Sequence, residues 1–430
     1  MQLWKLPSPS WPKTGPIAKG TIRTTAVLGL RLVVQAGTLL LVARMLGPKE
    51  FGAFAGISAL AVMLGTLSTF GTHLVLLGEV SKAPARRTQV LLYAIPTTLL
   101  CGTALLAIYL AVCLLMLRAV GVSLVVLLAI GITETIIQPL FALPAAEHLA
   151  FGRIARSQLL QTLPLALRLA AAAVVFLLHP PDALAAYGYG YFVASVIALG
   201  IAIATMPAPW PKVHLWRFAR IYELREAVGY AALAITANGP AELDKTLAAR
   251  LLPPSTAGLY AAGARVIGAA TLPIIAMMLS ALPRLFREGQ DQPRRTAHLI
   301  HLIFTVTLAY STILAIVLWL IAPWFVTLFG PEYEGIQHMI HWLCLAVPGM
   351  ALRTAAGNVL LALGKPWARV GFEAAGLFVL TAAAIVLTAY FDGEGMPLAL
   401  ASAEWVMAIT GILLIAHARL SPGRLNEERA

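Results

Sequence analysis

The sequence of 430 residues is 60% hydrophobic and only 12% charged, with a mean hydropathy of +0.83, whereas a soluble domain carries about a quarter charged residues. A soluble enzyme is excluded. A membrane-spanning helix needs about 20 apolar residues, so spans consume most of the chain, and the formal net charge of +12 is read loop by loop as topology rather than as affinity for nucleic acid.

The tail 1–21 carries Lys5, Lys13 and Lys19 and runs into an apolar stretch too long for a signal-peptide core, without a small-residue cleavage site. The first span is therefore expected to stay in the mature protein. Apolar runs of helical length, bounded by charge, Gly or Pro, lie at 22–46, 51–78, 89–117, 120–144, 155–178 and 184–205. A second set lies at 227–248, 256–282, 298–322, 336–362, 367–390 and 396–417, each long enough to cross a bilayer. The fifth and seventh runs are the most polar, holding Arg168 in one and Glu242, Asp244 and Lys245 in the other. The longest external connection expected is Pro323–Gly335, which has no Lys, Arg or His. The expected architecture is an all-α polytopic membrane protein of twelve transmembrane helices. Its parts are the tail 1–21, a lobe of spans one to six (22–210), a lobe of spans seven to twelve (211–417) and a tail 418–430.

Charge sets the orientation. Of the 31 Lys and Arg residues, 22 fall in the two tails and in the loops after even-numbered spans, and only Arg44, Lys49, Arg118 and Arg250 lie opposite. The acids Asp182, Glu332, Glu334, Asp392 and Glu394 lie on that poorly basic side. By the positive-inside rule both termini are expected to be cytoplasmic. Cys101, Cys113 and Cys344 sit in apolar runs without a CxxC pair, so neither a disulfide framework nor a zinc site is expected. The His298/His301 and His338/His341 pairs each share a helical face, but two imidazoles by themselves read as interfacial residues rather than a metal site, and no metal or cofactor is expected.

An internal repeat joins Leu41–Ala55 (LVARMLGPKEFGAFA) to Leu247–Ala261 (LAARLLPPSTAGLYA), identical at 7 of 15 positions with an offset of 206. Each copy covers the end of an outward-running span, an external turn and the start of the return. Parallel repeats of six spans, related by an axis along the membrane normal, are the arrangement of transporters that rock two lobes about a central site.

The first copy resembles a hallmark of the bacterial polysaccharide flippases, the Wzx type within the MATE-like multidrug, oligosaccharide and polysaccharide exporter (MOP) superfamily. Asn238–Arg250, with Asp244-Lys245, resembles that family's seventh span, Thr256–Pro273 its eighth, and Leu328–Gly335 (LFGPEYEG) the external turn before its tenth. The pattern departs at Pro253-Pro254, where a glycine-containing turn like Gly47-Pro48 is expected. The resemblance implies a MATE-like fold in the bacterial inner (cytoplasmic) membrane. It also implies an activity: flipping an isoprenoid-pyrophosphate-linked oligosaccharide from the cytoplasmic to the periplasmic leaflet, for O-antigen, capsule or exopolysaccharide biosynthesis. The implied partners are that lipid-linked substrate, the bilayer, and pathway membrane proteins such as a polysaccharide polymerase; no nucleic acid is among them.

Five cations lie inside spans: Arg31, Arg168, Lys245, Arg265 and Arg353. Each costs about 2.5–3.5 kcal/mol at a helix centre, so each needs a partner or water. Lys245 has Glu242 three residues back on its own helix face. The four arginines have no acid three or four residues away. Their counter-charge comes either from a ligand pyrophosphate, which a guanidinium matches bidentately, or from the intramembrane acids Glu134, Glu242, Asp244, Glu373 and Glu404. The residues leave both readings open. Arg31, Arg265, Arg353 and Arg168 are the substrate-cavity candidates, and Glu134, Asp244, Lys245, Glu242 and Glu404 the gating or ion-coupling candidates.

Three other functions compete. A MATE-like drug or cation antiporter keeps the fold but favours acids in its cavity, since unpaired arginines repel a cationic substrate. A polytopic glycan ligase or polymerase is expected to carry catalytic Arg, His or Asp on a sizeable external loop, which this chain lacks. A peptidoglycan-precursor flippase is expected to have two further spans.

Overall fold

The computed structural model describes residues 16–116, 122–206, 208–274, 277–278 and 293–420, and among these the regular structure is helical throughout. In chain order the main helices are α1 (Pro16–Ser68), α2 (Thr72–Lys82), α3 (Arg87–Met116), α4 (Leu124–Ile132) and α5 (Gln138–Ala150). They continue as α6 (Ile154–Leu178), α7 (Ala183–Ala204), α8 (Ile221–Leu251), α9 (Pro254–Ala270) and α10 (Pro293–Phe329). The last are α11 (Ile336–Leu343), α12 (Val347–Ala362) and α13 (Pro366–Leu420). Most of the two expected tails, together with Arg118 and the basic loop after the eighth expected span, lies outside the described residues.

Among the described residues, nine helical stretches are long and apolar enough to cross a membrane. Two are about twice the length of one crossing, Gly29–Ser68 with 40 residues and Pro366–His417 with 52. Each contains a break. Gly47 adopts φ 65° and ψ 170° just before Pro48, and Asp392 adopts φ 46° and ψ −124°. Positive φ is open to glycine at little cost and strains a side-chain-bearing residue such as Asp392. Helix α8, which holds the expected seventh span, is not among the nine. Glu223, Arg225, Glu226, Glu242, Asp244 and Lys245 interrupt its apolar character.

One expected loop is corrected. Pro323–Gly335 is not an open connection, because α10 runs on through Pro323 to Phe329 and turns only at Gly330, where φ is 108°. The segment APWFVTLF is apolar enough to continue a span, and a proline is tolerated in a membrane helix whose neighbours satisfy the freed backbone groups. The turn at Pro253 is also unlike its repeat partner. Leu252 and Pro253 are simply extended, and Pro254 opens α9 at the first-turn position where a missing N–H costs nothing.

The two repeat copies pack on each other reciprocally. A Cβ on Gly52 would lie 2.5 Å from the Pro254 carbonyl oxygen and 2.6 Å from the Gly258 nitrogen. Its repeat mate Gly258 lies against the Pro48 carbonyl, and Gly56 lies against Ala249. Position i touching j′ while i′ touches j is the signature of a two-fold relation, here between the halves of one chain. Glycine allows the backbones this close, as small residues do in membrane helix pairs. Further contacts knit this end: Arg44 donates from Nε to the Leu328 carbonyl at 2.9 Å and from Nη2 to that of Thr327 at 3.1 Å. The Tyr333 hydroxyl donates to the Ala43 carbonyl at 3.0 Å. Around this centre α1 packs against α3, α6, α8 and α9, and α13 against α8 and α12, while large apolar side chains such as Leu115, Val174, Ile313 and Phe378 point outward.

Candidate functional site

A cavity of about 590 Å³ lies between the halves of the chain, walled by α1, α6 and α7 on one side and by α8 to α13 on the other. Its wall is mainly apolar, from residues such as Leu39, Phe54 and Phe329, with Arg168, Lys245, Arg265, Glu242, Asp244 and Glu404 as its charges.

Behind the α6 wall the backbone departs from α-helix at Thr133–Ile137, one π-helical turn containing Glu134. The Thr133 and Thr135 hydroxyls bond back to the carbonyls of Ala129 and Gly131 at 2.7 and 2.9 Å. The widened turn presses the Glu134 carbonyl onto Gly65 of α1 and the Thr135 carbonyl onto Gly102 of α3, approaches that a Cβ would block. Such turns mark functional positions disproportionately. This one brings the Glu134 carboxylate to α6, where Arg168 Nη2 donates to it at 2.9 Å and the Tyr191 hydroxyl at 2.6 Å. Arg168 also donates to Tyr191 at 2.8 Å and to Ser195 at 2.9 and 3.2 Å, and its guanidinium carbon sits 3.7 Å from the Tyr191 ring centroid. All four residues are buried. Arg168 thus reaches the cavity with its donors largely engaged.

The second half holds a longer chain of charges. Arg353 on α12 donates from Nε to Glu404 on α13 at 2.7 Å and lies 3.9 Å from Glu373. Glu373 also accepts from Arg369 at 3.0 Å and from Thr236 of α8 at 3.1 Å. Glu404 reaches the cavity wall; Arg353 stands behind it. On α8, Lys245 Nζ lies 3.4 Å from Asp244 and 3.5 Å from Glu242, and donates to the Ala241 carbonyl. Tyr260 of α9 donates to Asp244 at 2.9 Å. One lysine therefore serves two carboxylates.

The remaining cations differ. Arg31 is half-buried on α1, off the cavity wall, and donates to the neutral Gln161 at 3.3 Å. Arg265 of α9 is on the wall, its guanidinium carbon 5.5 Å from the Phe51 ring centroid. Among the described residues it has no hydrogen-bond or ion-pair partner. Sequence reading missed Tyr191, Ser195, Tyr260 and Arg369 as partners. The pair Tyr191 and Ser195, four apart on an apolar helix, was a usable signal, because buried hydroxyls on one face need an acceptor or donor.

A family model described as polysaccharide biosynthesis protein matches residues 17–288. Among solved structures, an inward-facing multidrug resistance MATE family transporter of the MOP superfamily is similar over 94% of this chain and 99% of its own, at 11% identity and a TM-score of 0.71. The lipid II flippase MurJ, in an inward closed conformation, is similar over 93% of this chain and 89% of its own, at 11% identity and a TM-score of 0.71. A MOP superfamily transporter from Pyrococcus furiosus Vc1, for which a binding pocket of reversed polarity suggests a different function, is similar over 93% and 94%, at 12% identity and a TM-score of 0.63. No curated protein sequence matches the chain.

Proposed function

The chain belongs to the polysaccharide biosynthesis protein family, on a fold of the MOP superfamily, and from that premise we propose that it flips an isoprenoid-pyrophosphate-linked oligosaccharide from the cytoplasmic to the periplasmic leaflet. Dividing the two double-length helices at Gly47 and Asp392 and counting α8 gives twelve spans in two lobes, 22–210 and 211–417, with both termini cytoplasmic. The charge asymmetry of the loops supports that orientation.

One observation carries the substrate class: Arg265 lines the cavity without an ion-pair partner among the described residues, whereas the cavity acids Glu242, Asp244 and Glu404 are paired with Lys245 and Arg353. A guanidinium in a low-dielectric wall requires a counter-anion, and a pyrophosphate supplies one with matching bidentate geometry. The cavity is of ordinary ligand size, so it accommodates the pyrophosphate and adjoining sugar while the lipid tail stays in the bilayer. The reciprocal contacts of the repeat hairpins close the periplasmic end, and rocking of the lobes opens it.

The test is Arg265→Ala against Arg265→Lys in a strain whose surface polysaccharide depends on this chain. Alanine is expected to abolish export at near-normal membrane levels, and lysine to restore part of it, keeping charge without the fork. Undiminished export by the alanine variant would remove the anion site. A second reading, cation antiport, draws on Glu242 and Asp244 sharing Lys245. It requires Arg265→Ala to leave or improve transport of a cationic dye while Glu242→Gln abolishes it.

A further inference from the structure

The connection between α7 and α8 is pinned to the first half of the chain along one face. Arg87 forms a buried pair with Glu147 at 2.5 Å and donates to the Ala208 carbonyl at 2.7 Å and that of Pro209 at 3.3 Å. The Arg217 amide donates to the Leu92 carbonyl at 3.0 Å, and its guanidinium lies 5.0 Å from the Tyr93 ring centroid. Trp210, Trp216 and Ala219 pack on the apolar cluster below.

The opposite face is apolar as well, and none of the described residues covers it. Val213, Leu215, Phe218, Ile221 and Tyr222 are 69, 52, 77, 86 and 61% exposed. A loop bathed by water and held this rigidly has no reason to present five large apolar side chains within ten residues. Hydrocarbon is excluded too, because the backbone here is mostly non-helical and open N–H and C=O groups are not tolerated there. Exposed cations border the patch, Lys212, Arg220 and Arg225, none in a side-chain ion pair among the described residues, though Glu223, already paired with Arg217, also accepts from the Arg220 amide; exposed Arg153 and Arg156 follow the same end of α5. Apolar side chains beside unpaired cations, directly after a span, match the headgroup layer of an anionic bilayer.

We infer that residues 212–225 form a membrane-surface strap, with the apolar face of 213–222 seated at headgroup depth in the cytoplasmic leaflet and its cations on anionic lipid phosphates. The inference rests on the cytoplasmic assignment of this end proposed above. Its test reads lipid contact and needs no transport.

In the full chain with Cys101, Cys113 and Cys344 replaced by alanine, single cysteines at Leu215, Phe218, Ile221 and Lys212 carry nitroxide labels. The protein is placed in vesicles of phosphatidylcholine, with or without phosphatidylglycerol. Labels at 215, 218 and 221 are expected to relax more with oxygen than with a water-soluble nickel chelate, and to sit deeper when phosphatidylglycerol is present. The label at 212, and one at Glu334 in an external turn, are expected to favour the chelate. Arg220→Gln and Arg225→Gln should each weaken the preference for phosphatidylglycerol about fivefold, the factor for one cation near such a surface. Chelate access at 215, 218 and 221 equal to that at 334 would overturn the strap and leave a cytoplasmic protein as the occupant. Identical depths in the two lipid mixtures would overturn the anionic-lipid part.

Discussion

Arg168 and Arg265 reach the same cavity from opposite halves of the chain, and their surroundings are opposite. Arg168 is held by a carboxylate, a phenol and a serine hydroxyl that the fold delivers from two other elements. Among the described residues Arg265 has a phenyl ring and the cavity beside it. A cation that the protein neutralises itself is bound to its own architecture, and an anionic ligand competes for it poorly. A half-buried cation with no ion-pair partner among the described residues leaves its charge to a ligand, which meets no internal competitor for it. Residues of one type on one cavity are thus separated into a structural member and a candidate binding group by the acids around them.

The largest effect that can break this comparison comes from the acid. Glu134→Ala leaves Arg168 buried without its carboxylate and is expected to destabilise the protein by about 3–5 kcal/mol, read as a lowered thermal unfolding midpoint in detergent. Glu134→Gln with Arg168→Met should recover much of that loss, because replacing a whole buried pair is far less costly than breaking it. The opposite sign is expected across the cavity. Arg265→Ala should hold or raise the midpoint, since an unpaired cation costs about 2.5–3.5 kcal/mol at a span centre. A drop like that of Glu134→Ala would mean Arg265 has a partner after all.

Smaller effects address the seal between the halves. Gly258→Val forces a side chain onto the Pro48 carbonyl and is expected to cost about 1–3 kcal/mol as overpacking. In a cysteine-free background it should also reduce disulfide crosslinking between Lys49→Cys and Ser255→Cys, a pair related by the repeat, whose crosslinking in the parent is expected to arrest export reversibly. Arg44→Ala removes two hydrogen bonds to the end of α10 and should cost about 0.5–1.5 kcal/mol for each, with a shift away from the externally closed state read by the same crosslink. The smallest effect is at the strap. Two hydrogen bonds from Arg217 hold the Glu223 carboxyl below its ordinary value. A lowered folded value gives stability that is present above the unfolded carboxyl's pKa of about 4.3 and lost as pH falls through the folded one. Glu223→Gln should therefore lower the midpoint slightly at neutral pH, by less than about 1 kcal/mol, and not at all in strong acid.

Much of the fold was legible because hydrocarbon demands it. Long apolar runs, loop charge and the repeat at Leu41 and Leu247 were enough for an all-helical membrane protein of this family. Boundaries at α10 were misread because a proline that ends a helix in water is carried through in a membrane. The π-helical turn at Thr133 was invisible, since TET reads as ordinary helix until Gly65 and Gly102 are seen against it.

From the sequence alone came the membrane, the helical class, the family resemblance and the list of intramembrane charges, because each follows from local hydropathy and spacing along one chain. Apart from Lys245 and Glu242, three residues apart on one helix, which cation meets which acid was decided only by the tertiary structure. Glu134 and Arg168 are 34 residues apart, Arg353 and Glu404 51 apart, and such pairings depend on the rotation and depth of separate helices. Five cations and five acids permit many pairings on paper. Packing selects among them, because a buried charge one helical face away from its partner is left uncompensated in a medium that screens almost nothing.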